Sequence, residues 1–148
     1  MPQSLSRILI YLVFSIKDRA PFLTPEIRAE THPYLTAILR DNECPPLNVG
    51  GPEDHVHLLF GLSRTRPVAE VVEAVKSSSS KWLKTKGLAS FRWQSGYGAF
   101  SVSQSGAGAV VRYIDGQVEH HKKQPFHDEF RHMLERYQIE YDERYVWD

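Results

Sequence analysis

The sequence predicts an α+β fold: a ferredoxin-like or RRM-like β-α-β-β-α-β antiparallel sheet, followed by an additional C-terminal helix. Two observations predict this fold. Four short segments show the alternating apolar pattern of strands, and two longer segments between them carry apolar residues at helical spacing. Their order over residues 1–103 is that of the ferredoxin-like arrangement. Two helices would then cover one face of the sheet and leave the other face for a different element.

The first strand and the first helix open this pattern. Residues 7–17, RILIYLVFSIK, alternate with apolar side chains on one face and predict a central strand. Residues 24–42 begin with Thr-Pro, a cap followed by proline at the first helical position, and predict a helix. Pro33 falls inside this segment, so we expect the helix to be kinked or split there.

The remaining core elements follow from the same kinds of pattern. Residues 44–51 and 54–62 predict two strands of a hairpin. Residues 67–87 start with proline, stop at glycine and carry an apolar stripe at helical spacing, which predicts the second helix. Residues 93–103, WQSGYGAFSVS, predict an aromatic fourth strand interrupted by glycines.

The chain after the fourth strand is predicted as an addition to this core. Residues 104–123 combine a glycine-containing hinge, QSGAGA, with a third helix from residue 110. Residues 124–148 form an acidic C-terminal extension, with a short helix around 126–137 and an extended, aromatic end. The whole chain, 1–148, is therefore predicted as a single domain.

The composition excludes several classes of protein. With 41% hydrophobic and 24% charged residues among 148, the chain is neither disordered nor collagenous nor a coiled coil. Its single cysteine, Cys44, excludes an internal disulfide and fits a reducing compartment. The apolar run from Ile8 to Phe14 is too short to cross a membrane and lacks a small-residue cleavage site. We therefore expect a cytoplasmic protein without a signal peptide or a membrane anchor.

The charges are unevenly distributed along the chain. Lys and Arg total 18, equal to the total of Asp and Glu. Residues 124–148 contain three arginines and seven acids, so residues 1–123 contain 15 basic and 11 acidic side chains. The acidic end therefore conceals a mildly basic domain, which permits a polyanionic partner without requiring one.

Two histidines lie one residue apart in the third predicted strand, PEDHVHLLFGL over 52–62. Alternate residues of a strand share a face, so His55 and His57 point to the face that the first two helices leave open. Their Cβ atoms would lie roughly 7 Å apart, which lets both imidazoles converge on one cation. Taken alone, the pair is better explained as half-exposed histidines hydrogen-bonded to neighbours, because two ligands do not hold a metal specifically.

The third helix supplies a candidate for the missing ligand. Tyr113 and Gln117 lie at i and i+4, one turn apart on one helix face. A helix after the fourth strand can pack over the open sheet face and bring both side chains to the histidines. Gly116 between them costs about 1 kcal/mol of helix propensity relative to alanine. A glycine at this position is explained either by close packing or by a need for the helix to move.

Together these residues resemble the IS200/IS605-type transposases, the single-tyrosine members of the HUH endonuclease superfamily. The similarity spans nearly the whole chain and is carried by YLVFSIKDR, DHVHLLF, SSSSKWL, WQSGYGAFSVS and YIDGQVEHH. His55 and His57 match the HUH motif. Tyr113 matches the catalytic nucleophile, and Gln117 matches the additional metal ligand on the tyrosine helix. Gly116 departs from the pattern, because family members often have asparagine before the glutamine.

The resemblance implies that the protein cleaves and rejoins single-stranded DNA by transesterification during DNA transposition. Tyr113 would attack a backbone phosphorus, forming a 5′-phosphotyrosine and releasing a 3′-OH, and the covalent link conserves the phosphodiester energy for rejoining. Tyrosine is a weak nucleophile at neutral pH, so a metal ion has to neutralise charge at the phosphate. Two imidazoles and one amide oxygen with open positions suit Mg²⁺ or Mn²⁺.

Three further polar side chains flank the predicted ligands. His120 and His121 follow Gln117 by three and four residues. They are candidates for an extra ligand, a phosphate contact or stacking on DNA bases, or for plain solvent-facing positions. Asp54 is a candidate for orienting one of the histidines, with an ordinary turn acid as the alternative.

Lysines and serines along the second helix, with nearby arginines, predict contacts to DNA phosphates. The DNA-binding candidates are Lys76, Ser79, Lys81, Lys84, Arg64 and Arg92. A solvated helix face explains the same pattern equally well. Trp93, Tyr97 and Phe100 can stack on unpaired bases, although burial is the better explanation for at least two of them.

The resemblance also implies partners. They are single-stranded DNA with hairpin ends, in a bacterial or archaeal cell, and a second copy of the chain in a homodimer. The tyrosine helix of one subunit can complete the histidine site of the other, and the hinge at 104–109 suits such an exchange. No membrane partner is expected.

Three other functions stay open. The first is a host-retained relative that acts on chromosomal palindromic repeats, and the second is a noncatalytic single-stranded nucleic-acid-binding module. The third is a small metal-dependent phosphodiesterase, which is disfavoured because the sequence has no second His-x-Ser/Thr motif.

Overall fold

The computed structural model describes residues 1–148 and contains four strands and five α-helices. The strands are β1 (Leu9–Ser15), β2 (Pro46–Gly50), β3 (His55–Gly61) and β4 (Gly98–Val102). The helices are α1 (Pro25–Asp41), α2 (Val68–Thr85), α3 (Ala107–Asp115), α4 (Gln117–His121) and α5 (Phe126–Arg136). Up to β4 the predicted order is confirmed, with each element a few residues shorter than its sequence pattern. None of the helices has the length and apolar character needed to cross a membrane.

The sheet has the order β2-β3-β1-β4, and every neighbouring pair of strands is antiparallel. This is the ferredoxin-like order, with β1 and β3 in the centre. The two central strands pair along their whole length, from Leu9 opposite Gly61 to Ser15 opposite His55, and every residue in both is buried. The predicted α+β antiparallel fold is confirmed.

Side-chain alternation along the strands divides the core into two layers. One layer joins one face of the sheet to α1 and α2, and its central members are Leu12, Phe14, Val56, Leu58 and Phe60. The other layer joins the opposite face to the C-terminal helices and comprises Tyr11, Val13, Leu59, Phe100, Ile114, Phe126, Phe130, Met133 and Leu134. The face that α1 and α2 leave open is therefore covered by the end of the same chain.

Helix α5 packs closely against the sheet on this second face. Phe126 and Phe130 stack with their ring centroids 5.4 Å apart. A Cβ built on Gly98 of β4 would lie 2.5 Å from the Phe130 ring, so a glycine is needed for α5 to come this close. The acidic C-terminal extension is therefore part of the core rather than an appendage to it.

The residues after α5 form turns that fold back onto the protein, instead of the predicted extended end. Trp147 stacks on His127 of α5 with ring centroids 3.6 Å apart. The backbone N–H of Gly96 donates a hydrogen bond to the carbonyl of Asp148 at 2.7 Å. These contacts tie the end of the chain both to α5 and to the loop before β4.

Two predicted helix features are wrong in detail. Helix α1 is not split at Pro33 but runs unbroken through it. The proline removes only one N–H donor, and the burial of Leu35 and Leu39 in the core outweighs that loss. The third helix, predicted as one element from residue 110, is broken at Gly116, which has φ −88° and ψ 7°. Helix α3 ends before this glycine and α4 begins after it.

The predicted hinge is also more ordered than its glycines indicate. Residues Gln104–Gly106 form a 3-10 turn, closed by a hydrogen bond at 3.1 Å from the Gly106 N–H to Ser103 Oγ. Helix α3 then starts at Ala107. The serine side chain satisfies the backbone where a flexible linker would leave it to solvent.

Ser79, a predicted DNA contact, is a buried packing residue, so that prediction is wrong. Its side chain is 0% exposed on the sheet-facing side of α2. The hydroxyl donates to the Val75 carbonyl at 2.6 Å and accepts a hydrogen bond from Trp93 Nε1 at 2.9 Å. The apolar stripe of α2 runs through this position and turns it towards the core.

Replacing Ser79 should therefore reduce stability and leave DNA binding intact. In Ser79→Ala the buried Trp93 N–H loses its acceptor, and we expect the free energy of unfolding to fall by about 1–3 kcal/mol. Urea denaturation followed by tryptophan fluorescence measures this change. Ser77→Ala, on the exposed side of the same helix, is the matched control and should change stability by less than about 0.5 kcal/mol. A Ser79→Ala protein with unchanged stability and weaker DNA binding would contradict the assignment.

Candidate metal and nucleophile site

The two histidines of β3 lie side by side beneath the C-terminal helices. His55 and His57 point to the same face of the sheet, with their ring centroids 4.8 Å apart, and both are 0% exposed. Their predicted direction is confirmed. Their burial excludes the half-exposed alternative, and it results from α5, which the sequence did not place over this face.

Each imidazole is held at Nδ1, its outer nitrogen, while Nε2, its inner nitrogen, faces the C-terminal helices. Asp54 Oδ1 lies 2.6 Å from His55 Nδ1, and the Tyr11 hydroxyl lies 2.6 Å from His57 Nδ1. Because an ionised carboxylate can only accept hydrogen bonds, a neutral His55 carries its proton on Nδ1 and directs the Nε2 lone pair inward. The contact expected of Asp54 is therefore present, and Tyr11 of β1 holds the second histidine in the same way.

A carboxylate from α5 faces both inner nitrogens. Glu129 Oε1 lies 3.2 Å from His55 Nε2 and 3.3 Å from His57 Nε2. Glu129 Oε2 accepts hydrogen bonds from the Tyr113 hydroxyl and from Gln117 Nε2, the second at 2.9 Å. Glu129 is 2% exposed. One buried carboxylate thus connects the histidine pair to the tyrosine and the glutamine.

The break at Gly116 does not prevent the convergence predicted for the third helix. The Tyr113 ring lies 6.0 Å from the His57 ring, measured between centroids. Gln117 Oε1 lies 3.1 Å from His55 Nε2. Tyr113 stands on the last turn of α3 and Gln117 opens α4, so both side chains meet the histidines of their own chain.

Burial lowers the pKa of each histidine, and the neighbouring carboxylates raise it, but the balance differs between the two. Burial lowers the pKa of His55, but the neighbouring carboxylates of Asp54 and Glu129 outweigh burial and raise that pKa to about 9. For His57 burial dominates and lowers the pKa to about 4. The two imidazoles therefore differ in charge around neutral pH, although they are neighbours on one strand.

The pKa values of Glu129 and Tyr113 are also shifted strongly. Burial raises the pKa of Glu129, but the His55 and His57 imidazoles beside its carboxylate hold that pKa well below the usual range of a glutamate. Burial and the Glu129 carboxylate together raise the pKa of Tyr113 above its usual value. The site therefore presents an ionised carboxylate against a protonated phenol.

These donors fit a hard divalent cation. The buried atoms His57 Nε2 and Glu129 Oε1 face each other without forming a hydrogen bond, an arrangement that is costly unless another group binds them. The spacings of 3.1, 3.2 and 3.3 Å around the inner nitrogens match the edge, about 3 Å, of an octahedron with metal–ligand bonds of about 2.1 Å. His55, His57 and Glu129 form one candidate metal-binding group, and Gln117 adjoins it.

The two histidines of α4 contact different members of this centre. His120 Nε2 is 2.8 Å from Gln124 Oε1 and 3.3 Å from a carboxylate oxygen of Glu129. His121 Nε2 is 3.5 Å from Asp54 Oδ2, and these two residues form a second candidate metal-binding group with His55. Both α4 histidines therefore lie at the site, in the neighbourhood that the sequence predicts.

A cavity of about 590 Å³ opens beside the tyrosine. It lies between β4, α3 and α5, and its walls combine apolar side chains with polar groups. Its polar or aromatic walls include Tyr11, Tyr113, His120, Glu129, His132 and Arg136. Tyr113 and Glu129 both line this cavity.

The predicted DNA-binding cations divide into two groups. Lys76 Nζ donates hydrogen bonds to the carbonyls of residues 94–96 at 2.7, 3.2 and 2.7 Å, and burial lowers its pKa to about 8. It braces the loop before β4. The other four cations are exposed and free to contact a partner: Lys81, Lys84, Arg64 and Arg92. Of the predicted stacking residues, Trp93 and Phe100 are buried and Tyr97 is 39% exposed, as expected for at least two of them.

The sequence pattern did not single out two contributors to this site, Tyr11 and Glu129. Tyr11 lies on the less uniform face of β1, and only strand pairing brings it to His57. A signal for Glu129 exists, because this acid stands three residues after Phe126 and one before Phe130, within the apolar stripe of α5. An acidic residue inside a buried helix face needs a partner in the core.

The fold and the site together define a class of protein. A ferredoxin-like sheet with a His-x-His pair on a central strand, and a tyrosine on a helix that follows the sheet, is the arrangement of the HUH endonucleases with a single tyrosine. Residues 4–117 match the protein family described as "Transposase IS200 like". The chain belongs to this IS200-like transposase family.

Two solved structures are similar to this one in fold. The first is a candidate transposase from Deinococcus radiodurans R1, with a TM-score of 0.61 and 22% identity over 80% of this chain and 96% of that chain. The second is a REP-associated tyrosine transposase bound to a REP hairpin, with a TM-score of 0.57 and 15% identity over 90% of this chain and 86% of that chain. A search of the curated proteins finds no match.

Removing the Tyr11 hydroxyl should weaken metal binding with little damage to packing. Tyr11→Phe keeps the ring that stacks on His57 at 5.7 Å but deletes the partner of His57 Nδ1. We expect Mn²⁺ affinity, measured by isothermal titration calorimetry, to fall about 10-fold or more, as for other groups that orient a metal ligand. Tyr34→Phe, where the ring stacks on Trp82, is the control and should bind Mn²⁺ like the unaltered protein. Equal affinity in both variants would exclude an orienting role for Tyr11.

Proposed function

We propose that this protein is a metal-dependent transposase that cleaves and rejoins single-stranded DNA through a 5′-phosphotyrosine intermediate. The observation that carries the proposal is the hydrogen bond of the Tyr113 hydroxyl to Glu129, whose other oxygen faces both inner histidine nitrogens. A phenol is thereby held at a candidate metal centre, in a chain of the IS200-like transposase family. All of residues 1–148 would act as one unit, because α5 closes the site.

The chain supplies a nucleophile and a cation site for this reaction. His55, His57 and Gln117 would hold Mg²⁺ or Mn²⁺, which would neutralise charge on the phosphate and on the leaving oxygen. Tyr113 Oη forms a bond to phosphorus while the bond from phosphorus to the 3′ oxygen breaks, and the phenol proton leaves as the 3′-OH forms. Attack of the 3′-OH of another strand on the phosphotyrosine reverses these steps and rejoins the DNA.

The DNA partner is proposed to be single-stranded DNA with hairpin ends, in the cytoplasm of a bacterial or archaeal cell. A REP hairpin is bound to the REP-associated tyrosine transposase, which supports a hairpin partner here. The exposed Lys81, Lys84, Arg64 and Arg92 are proposed phosphate contacts, with affinity that falls as salt rises. Lys76 would act on DNA through the loop that it braces.

The same relative favours a second candidate function. Because the REP-associated transposase is similar in fold over 90% of this chain, a host-retained enzyme acting on chromosomal palindromic repeats is a specific alternative to a mobile element. The two candidates share the chemistry at Tyr113 and differ in the DNA that is cleaved. Repeat-derived hairpins and element-end hairpins, compared as substrates at equal concentration, distinguish them.

Tyr113 should be required for a covalent link to DNA. Incubation with hairpin-bearing single-stranded DNA and Mn²⁺ should give a protein–DNA adduct on a denaturing gel. Tyr113→Phe removes the nucleophile, and His57→Ala removes a ligand; we expect adduct formation to fall by about 10³-fold or more in each. Tyr145→Phe, an exposed tyrosine, should behave like the unaltered protein. An adduct in Tyr113→Phe would refute the nucleophile, and no adduct in any form would support a binding module.

The site should also be completed within one chain. Tyr113 and Gln117 contact the histidines of their own chain, so a homodimer, which stays a prediction, is not needed to assemble it. Mixed in equal amounts, the inactive Tyr113→Phe and His57→Ala proteins should form no adduct. An adduct in the mixture would mean that subunits exchange their tyrosine helices, and co-purification of two differently tagged chains would measure the dimer separately.

A further inference from the structure

Helix α5 brings an acidic side chain to a site that is otherwise built from residues before it. The family match ends at residue 117, and Glu129 lies beyond that point. Its neighbours along the buried face of α5 are apolar: Phe126, Phe130, Met133 and Leu134. An acid placed among them is costly unless its charge is matched, so its position calls for an explanation in the site.

We propose that Glu129 is a further metal ligand through Oε1 and the positioning residue for Tyr113 through Oε2. The proposal rests on the proposed function, since it concerns the same ion and the same nucleophile. It assigns one role to each carboxylate oxygen. In this role Glu129 joins the metal centre to the attacking group within a single side chain.

The donor geometry supports the role of Oε1. This atom and His57 Nε2 are both buried and both lack a hydrogen-bond partner, although they are only 3.3 Å apart. A cation bound to the two atoms would satisfy both of them at once. With His55 and Gln117 the set becomes two nitrogens and two oxygens, one of them charged, which leaves two positions of an octahedron for phosphate or water.

The charge of Glu129 matters for the choice of metal. Two imidazoles and an amide are neutral ligands, and imidazoles also suit softer ions such as Zn²⁺ and Cu²⁺. A carboxylate adds a hard anionic oxygen, which Mg²⁺ and Mn²⁺ prefer. Glu129 would therefore raise the affinity for these ions and lower the net charge of the centre by one.

The hydrogen bonds of Oε2 support the positioning role. Tyr113 and Gln117 both donate to this oxygen. The phenol is therefore held in a fixed position relative to two proposed metal ligands, Glu129 and Gln117. Attack on phosphorus requires the reacting atoms to approach within about 3–3.5 Å in the right orientation. If Glu129 holds the ion, the Tyr113 hydroxyl would lie beside a phosphate that binds the same ion.

The end of the chain holds this ligand in place. Arg131 of α5 donates to both carboxylate oxygens of Glu143, at 2.7 and 3.1 Å, and Trp147 stacks on His127. These contacts restrict α5 from the solvent side, while Phe130 fixes it on Gly98. The carboxylate is therefore carried by a packed helix and not by a mobile loop.

The test measures Mn²⁺ binding without DNA and without activity. Calorimetry would compare the unaltered protein with Glu129→Gln, which keeps the size of the side chain but removes its charge and one of its two acceptor oxygens, and with Glu135→Gln, an exposed control on the same helix. We expect Mn²⁺ affinity to fall at least about 10- to 100-fold in Glu129→Gln and to stay unchanged in Glu135→Gln. Urea denaturation verifies that both variants are folded.

A second measurement addresses the positioning role. At saturating Mn²⁺ and DNA, Glu129→Gln should form the phosphotyrosine adduct with a rate constant reduced by about 10-fold or more, while the DNA concentration for half-saturation stays unchanged. Glu129→Asp should restore part of the Mn²⁺ affinity but not the rate, because its shorter side chain keeps the charge and loses the reach to Tyr113. A merely structural role would not separate these quantities.

Several outcomes would overturn the proposal, and they can be told apart from failure of the proposed function. If Glu129→Gln binds Mn²⁺ as tightly as the unaltered protein, or more tightly, the carboxylate occupies the site in place of the ion and is not a ligand. If His57→Ala loses Mn²⁺ binding in the same experiment, the metal centre itself is still supported. If the unaltered protein binds no Mn²⁺, both the proposal and the metal dependence of the proposed function fail.

Discussion

The packing of α5 onto the histidine face of the sheet is the constraint on which the rest of the site depends. Phe126 and Phe130 give the helix an apolar face, and Gly98 gives the sheet a place to receive it. Because Glu129 lies in the same stripe, burying the phenylalanines also buries a carboxylate against two imidazoles. Hydrophobic packing, worth roughly 1.5–3 kcal/mol for each large side chain, thereby positions polar groups that would separate in water.

A polar cluster persists in this core because nearly every member has a partner. Asp54 and Tyr11 hold the outer nitrogens of the histidines, and Tyr113 and Gln117 both donate to Glu129. The exceptions lie at the centre, where His57 Nε2 and Glu129 Oε1 face each other unpaired. The hydrogen bonds thus leave two unpaired buried atoms directed at one point, as the proposed metal site requires.

The arrangement also bears on how the enzyme is assembled. The tyrosine, the glutamine and the histidines meet within one chain, and the ordered 3-10 turn before α3 connects them to the sheet directly. Membership of the IS200-like family rests on residues 4–117, whereas the closure of the site rests on residues after 117. The end of the chain is therefore where this protein can differ from other members of the family.

The sequence by itself determined the order of the elements up to β4 and the direction of His55 and His57, because these follow from local periods of two or 3.6 residues. Local signals misjudged three positions. Packing keeps α1 continuous through Pro33, whereas the low helix propensity of Gly116 ends α3 there. Ser79 is polar but lies in the buried stripe of α2. Only the tertiary structure decided the roles of Tyr11 and Glu129. Strand pairing carries Tyr11 to His57 across 46 residues, and helix docking carries Glu129 to His55 across a separation that no sequence period encodes.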